Sequence, residues 1–215
     1  MAERSRIRRT SSAAAVGAVI AAAASAEASV SQAEFSPCGS TEHIASFHGL
    51  LTYAYAGGSA ASISIQIDNT TALALGGYVT AIAINPEPGF GGVSFVSCTN
   101  ANFGGLSAPV NAAPWGDFAA GASLGSSWTG SGAPQGGIAA GSGALFVFSL
   151  SGSAAYLGAL TAEDVLDRDG YALAVRFRGG AGNDWSDKVL GCALPAPGAA
   201  SLLGVVGMLQ TRRRR

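Results

Sequence analysis

"SISIQID", residues 62–68, sets Ile63, Ile65 and Ile67 on one side of an extended chain and polar side chains on the other. Such alternation with a period of two marks a strand with one buried face. Three further segments repeat it. In "YVTAIAI" (78–84) Tyr78, Ile82 and Ile84 fall on one face, and in "LFVFSL" (145–150) Phe146, Phe148 and Leu150 do. In "YALAVRFR" (171–178) Tyr171, Leu173, Val175 and Phe177 point inward while Arg176 and Arg178 face out. Gly, Asn and Pro turns separate these runs, so the pattern predicts an all-β fold: a single antiparallel β-sandwich, jelly-roll or immunoglobulin-like, rather than a parallel α/β sheet. One short helix is expected at "LTAEDVLD" (160–167), capped by Thr161 with Asp164 as the capping-box partner.

The chain has 215 residues, 48% of them hydrophobic, enough for one core and hardly two. Its 31 Gly and 8 Pro stay below the range of low-complexity chains, so one folded domain with many turns is expected.

Charge is distributed unevenly. Arg4, Arg6, Arg8 and Arg9 lie near the start and Arg212, Arg213, Arg214 and Arg215 at the end. Between Ser29 and Leu194 four basic residues (Arg168, Arg176, Arg178, Lys188) face eleven acids, a net of −7. A nucleic-acid interface needs a basic face to neutralise phosphates, and this acidic stretch argues against one.

Behind the first arginines, Ala13 to Ala26 is apolar, too short to span a bilayer, and followed by small residues. It reads as a secretory signal peptide over residues 1–28, cut by signal peptidase after Ala26 or, preferably, Ala28. Arg8-Arg9 is followed by Thr10-Ser11-Ser12, where a twin-arginine signal carries an apolar pair. At the other end, Ala199 to Leu209 is an uncharged run that as a helix covers about 16 Å of a hydrocarbon core roughly 30 Å thick. The arginines behind it favour the cytoplasmic side and supply the hold that length does not, so this C-terminal helix is expected to engage the membrane.

This order of proline motif, short apolar helix and arginine cluster resembles the tail of the bacterial PEP-CTERM proteins. Pro195, Ala196, Pro197 and Gly198 stand where that family carries Pro-Glu-Pro, without the glutamate. The resemblance implies a sorting tail over residues 194–215, a membrane-bound exosortase as partner, and a surface domain over residues 29–193 that is anchored at the envelope or released outside the cell. The region from Gly39 to Val189 also looks like ectodomains found ahead of such tails, notably in Ser186-Asp187-Lys188-Val189, and carries no active site with it. A literal Pro86-Glu87-Pro88-Gly89 has neither apolar helix nor arginines behind it and reads as a turn.

From Gly104 to Gly143 the chain is rich in Gly, Ala and Ser and holds Trp115 and Trp128. Exposed, the two indoles would stack on sugar rings and bind extracellular polysaccharide; buried, each would staple a loop to the sheet. Asp167-Arg168-Asp169-Gly170 has the letters of the end of a calcium loop but lacks the alternating oxygen ligands and closing glutamate. His43 and His48, five apart, share no face of a strand or helix and have no evident third ligand, so no metal or other cofactor is expected. There is no Gly-x-Ser-x-Gly elbow, and the Gly-rich stretches lack the strand-to-helix setting of a phosphate loop.

Cys38, Cys98 and Cys192 suit an oxidising compartment with one bridge. A Cys38–Cys98 disulfide is expected, with Cys192 in the linker to the tail; Val189-Leu190-Gly191-Cys192 has lipobox letters far from any N-terminal signal. The expectation is therefore a non-enzymatic exported protein of the envelope or extracellular matrix with a structural or adhesive role. The alternatives are a carbohydrate-binding module and a secreted hydrolase.

Overall fold

The computed structural model describes residues 28–86, 89–130, 132–166, 172–182 and 185–195. The leader through residue 27, Glu87-Pro88, Asp167 to Tyr171 and the tail from Ala196 lie outside them, and with them the cleavage site after Ala26, the acidic calcium-like turn and most of the sorting motif.

The fold is all-β and antiparallel. The long strands are β1 (Ser29–Ser40), β2 (Phe47–Tyr55), β3 (Ala60–Asn69), β4 (Gly76–Ile84) and β5 (Gly92–Cys98). Short strands follow: β6 (Gly104–Gly105), β7 (Val110–Asn111), β8 (Asp117–Phe118), β9 (Ala120–Ser123) and β10 (Ile138–Ala139). The last long strands are β11 (Gly143–Ser151), β12 (Leu173–Gly180) and β13 (Ser186–Ala193).

Eleven strands form one sheet in the order β5-β11-β3-β2-β1-β13-β12-β4-β9-β6, with β10 on β4; β7 and β8 pair apart. The expected division into two sheets is therefore replaced by continuous hydrogen bonding that curls toward closure. At the closing seam the Phe95 ring of β5 lies over the Gly105 backbone of β6, where a Cβ would fall 3.1 Å from the ring. Curling hides one face of each strand, and that face carries Phe35, Leu51, Ile63, Ile65, Ile67, Phe146, Phe148, Val175, Phe177 and Val189, all without exposure. The isoleucines of "SISIQID" point as their period requires.

"YVTAIAI" departs from its period. Arg176 pairs with Ala81 and Phe177 with Val79, leaving Thr80 as an extra residue on β4. A β-bulge of this kind shifts the alternation by one. Ile82 and Ile84 join the core, Val79 takes the next inward place, and Tyr78 is left half-exposed outside.

Among the described residues two short α-helices are present where one is expected. Helix α1 (Ala154–Ala159) is capped by Ser153, and α2 (Ala162–Leu166) has the anticipated reciprocal cap: Asp164 Oδ2 accepts from Thr161 N at 2.7 Å and Thr161 Oγ1 from Asp164 N at 3.3 Å. The Tyr53 hydroxyl donates to the Leu157 carbonyl at 2.6 Å, fastening α1 to the barrel. Burial, then the neighbouring Tyr55 and Tyr156, push that phenol up to about 12, so it stays a donor at any physiological pH.

Gly49 on β2 lies opposite Phe35 of β1, and the Phe35 ring occupies the space a side chain would need: a Cβ there would fall 2.1 Å from the ring. Gly49→Ala should therefore displace a fully buried ring and destabilise the fold by about 1–3 kcal/mol. A lowered urea midpoint at unchanged slope is the expected result.

Candidate functional site

Two surfaces stand out: the point where the barrel hands over to its C-terminal segment, and the outer face of β4, β12 and β13.

At the hand-over, β13 pairs with β1 in a register that places Pro37 opposite Gly191 and Gly39 opposite Leu190. Cys38 is the extra residue of that bulge, and it is joined to Cys192, with Cα atoms 5.7 Å apart. The expected Cys38–Cys98 bridge is thus corrected. Cys192 belongs to the last strand rather than to a linker, whereas Cys98 ends β5, four strand positions from β1 in the sheet. Cys98 is a free, half-buried thiol that burial pushes up, against the Asn100 amide. The lipobox letters around Cys192 carry no free thiol to acylate. Beyond the bridge, Leu194 N donates to the Glu34 carbonyl at 2.8 Å, so the chain stays on the sheet up to the start of the proline motif.

Asp187 fixes the same end of the barrel. Its carboxylate is wholly buried and collects the Ser40 hydroxyl at 2.8 Å, the Thr41 hydroxyl at 3.1 Å, and the amides of Glu42, Ile44 and Ala45 at 3.0 to 3.1 Å. Burial alone would push this carboxyl up, but the Ala45, Ile44 and Glu42 amides and the Ser40 hydroxyl together hold it below its ordinary value. The connection from β1 to β2 is folded around this one charge.

On the outer face, the Gly-rich segment from β6 to β10 forms a flap. Trp128 is 3% exposed and packs with Phe118, Val110 and Leu190; Trp115 is half-buried beside Leu190 and Gly39. The pair does not form the exposed sugar-stacking platform; the indoles staple the flap to the sheet. Both Nε1 atoms are buried without a partner among the described residues. The third tryptophan, Trp185, lies over Gly77 and Gly180 and donates to the Leu75 carbonyl at 3.3 Å. Glycine at both places lets that ring lie against the backbone.

Arg176 and Arg178 leave the outer face as their period predicts, but the flap covers them. Arg176 is 8% exposed, and its Nη1 donates to the Trp128 and Thr129 carbonyls. Arg178 Nη1 donates to the Gly130 and Gly132 carbonyls at 3.0 and 3.3 Å. Burial and then the adjacent Arg178 charge push the Arg176 guanidinium down to about 10, which leaves it charged at neutral pH. Among the described residues the one ion pair is His48 with Glu34, 3.6 Å apart on the surface, and His43 sits exposed in the preceding loop.

A shallow recess lined by Asp68, Asn69, Thr70 and Leu73 contains one carboxylate, whose Oδ1 accepts from Gln66 Nε2 at 2.7 Å. Among the described residues no group of three His, Cys, Asp or Glu side chains is arranged to hold a metal ion.

A non-reducing peptide map should link the Cys38 and Cys192 peptides and leave Cys98 open to alkylation. The bridge closes 154 residues, for which chain entropy gives about 5 kcal/mol of stabilisation. For Asp187 the folded value lies below the unfolded one, near 3.9, so its stabilisation is full above that pH and is lost as pH falls through the folded value. Asp187→Asn should cost about 3 kcal/mol at pH 7, where the charge serves several buried donors, and flatten the acid limb of the stability profile below about pH 4. Urea titrations across pH check both.

No protein-family model, curated protein or solved structure matches this chain.

Proposed function

We propose that the protein is an exported surface or extracellular-matrix component with a structural or adhesive role, delivered to the envelope by its PEP-CTERM-like tail. The observation that carries this reading is where the strands begin and end. β1 starts at Ser29, directly after the preferred cleavage point at Ala28, and β13 ends at Ala193, directly before the segment that opens the tail. Removal of both proposed signals would therefore leave every described strand whole. The Cys38–Cys192 bridge adds support, since such bonds persist in oxidising compartments.

Mass spectrometry of envelope material should find the mature N-terminus at Glu27 or Ser29; Met1 or Ala2 retained on a cytoplasmic chain would refute export. With Arg212 to Arg215 replaced by serines, the apolar run alone is too short to hold the bilayer. That variant should reach the periplasm or medium at full length, whereas the parent fractionates with membranes before processing.

A further inference from the structure

Three of the four basic residues between Ser29 and Leu194 come together on the outer face. Arg176 stands directly opposite Lys188 of β13, while Arg178 stands between Tyr78 of β4 and Ser186 of β13. Residues directly opposite in an antiparallel pair share a face about 5 Å apart, and like charges so placed repel. Yet none of the three makes an ion pair among the described residues, in a domain that carries eleven acids. Among the described residues no carboxylate pairs with this cross-strand charge.

Accessibility differs along the cluster. Arg176 is spent under the flap and supplies field rather than contact. Arg178 and Lys188 are half-exposed, and among the described residues the bonds of Arg178 to the flap use Nη1 alone of its planar fork. Next to Arg178 lies the half-exposed Tyr78 ring, turned out by the bulge at Thr80, and on its other side the Ser186 hydroxyl. The row thus reads aromatic ring, guanidinium, hydroxyl, with an ammonium alongside.

We propose that this row binds an acidic polysaccharide, Arg178 and Lys188 taking the sugar carboxylates and Tyr78 the apolar face of a ring. A guanidinium fork matches a carboxylate in two parallel bonds, and an ammonium adds a point charge. Two accessible cations in a domain of net −7 suit separated carboxylates on a mostly neutral polymer. They fall short of the six to ten phosphate contacts of a typical nucleic-acid site, and of the basic clusters that hold proteins to anionic membranes. The inference deepens the matrix reading and shares its premise that the domain faces the extracellular space.

Lys188 is the only lysine in the chain, which gives a direct test. The purified full-length chain in mild detergent is treated with a carbodiimide and oligogalacturonate, and amide formation at Lys188 is quantified by peptide mass spectrometry. Coupling should exceed that with acetate at equal carboxylate concentration at least fivefold. It should fall at least threefold in Arg178→Gln and in Tyr78→Ala, and largely survive in Arg178→Lys, which keeps the charge if the flap needs it. Equal coupling by acetate and oligogalacturonate, or no loss in either weakened variant, would overturn the proposal. So would stronger protection of Lys188 by polyuridylate or phosphatidylserine vesicles than by oligogalacturonate. The readout is taken on purified protein, so it stands or falls independently of where the cell sends the chain.

Discussion

Between β1 and β13 the sheet joins segments about 150 residues apart. Without that seam the ribbon β5-β11-β3-β2-β1 would have no strand pairing to the ribbon β13-β12-β4-β9-β6. Closing so long a loop costs chain entropy before any contact rewards it. The molecule offsets this cost in three ways within a few residues: the ladder itself, the Cys38–Cys192 bond, and the Asp187 carboxylate that gathers the loop after β1. Core packing follows from the seam, because Phe35 on β1 is buried only when β2 and β13 flank it.

The outer face shows a different balance. Besides the apolar barrel interior, a second cluster around Phe118, Trp128 and Leu190 lies outside the sheet, beneath the Gly-rich flap. Two guanidiniums fasten the flap by backbone carbonyls rather than by carboxylates. Carbonyls satisfy donors without cancelling charge, so the flap is held while both guanidiniums keep theirs. Structural and electrostatic roles are thus divided between neighbours: Arg176 is covered, and Arg178 and Lys188 remain partly open.

What the sequence discloses here follows from what a period can encode. Strands with one strongly apolar face, such as Ala60–Asn69 and Gly143–Ser151, are visible because burial repeats every second residue. β1 is nearly invisible: along "SVSQAEFSPCGS" only Ala33 and Phe35 are buried, and partners on both sides hold it extended. Alternation also says nothing of register. The bulges at Thr80 and Cys38 decide that Tyr78 faces out and that Cys38 meets Cys192, and a bulge leaves no compositional mark at either position. The Arg176–Lys188 neighbourhood was hidden for the same reason, as was the covering of Trp128 by its own flap. The Thr161–Asp164 cap was legible because its geometry lies within four consecutive residues.

The disulfide also determines how the domain would bear a mechanical load. A domain held by a C-terminal tether is pulled at Pro195, and the strand nearest the pull is ordinarily peeled away one hydrogen bond at a time. Here Cys192 lies one residue inside the end of β13 and is covalently tied to β1. Tension therefore passes into two strands at once, and the rest of β13 cannot unzip from its end while the bond is intact. Reduction would turn the same strand into the first to yield, making the barrel's resistance to shear a property of the redox state of its surroundings.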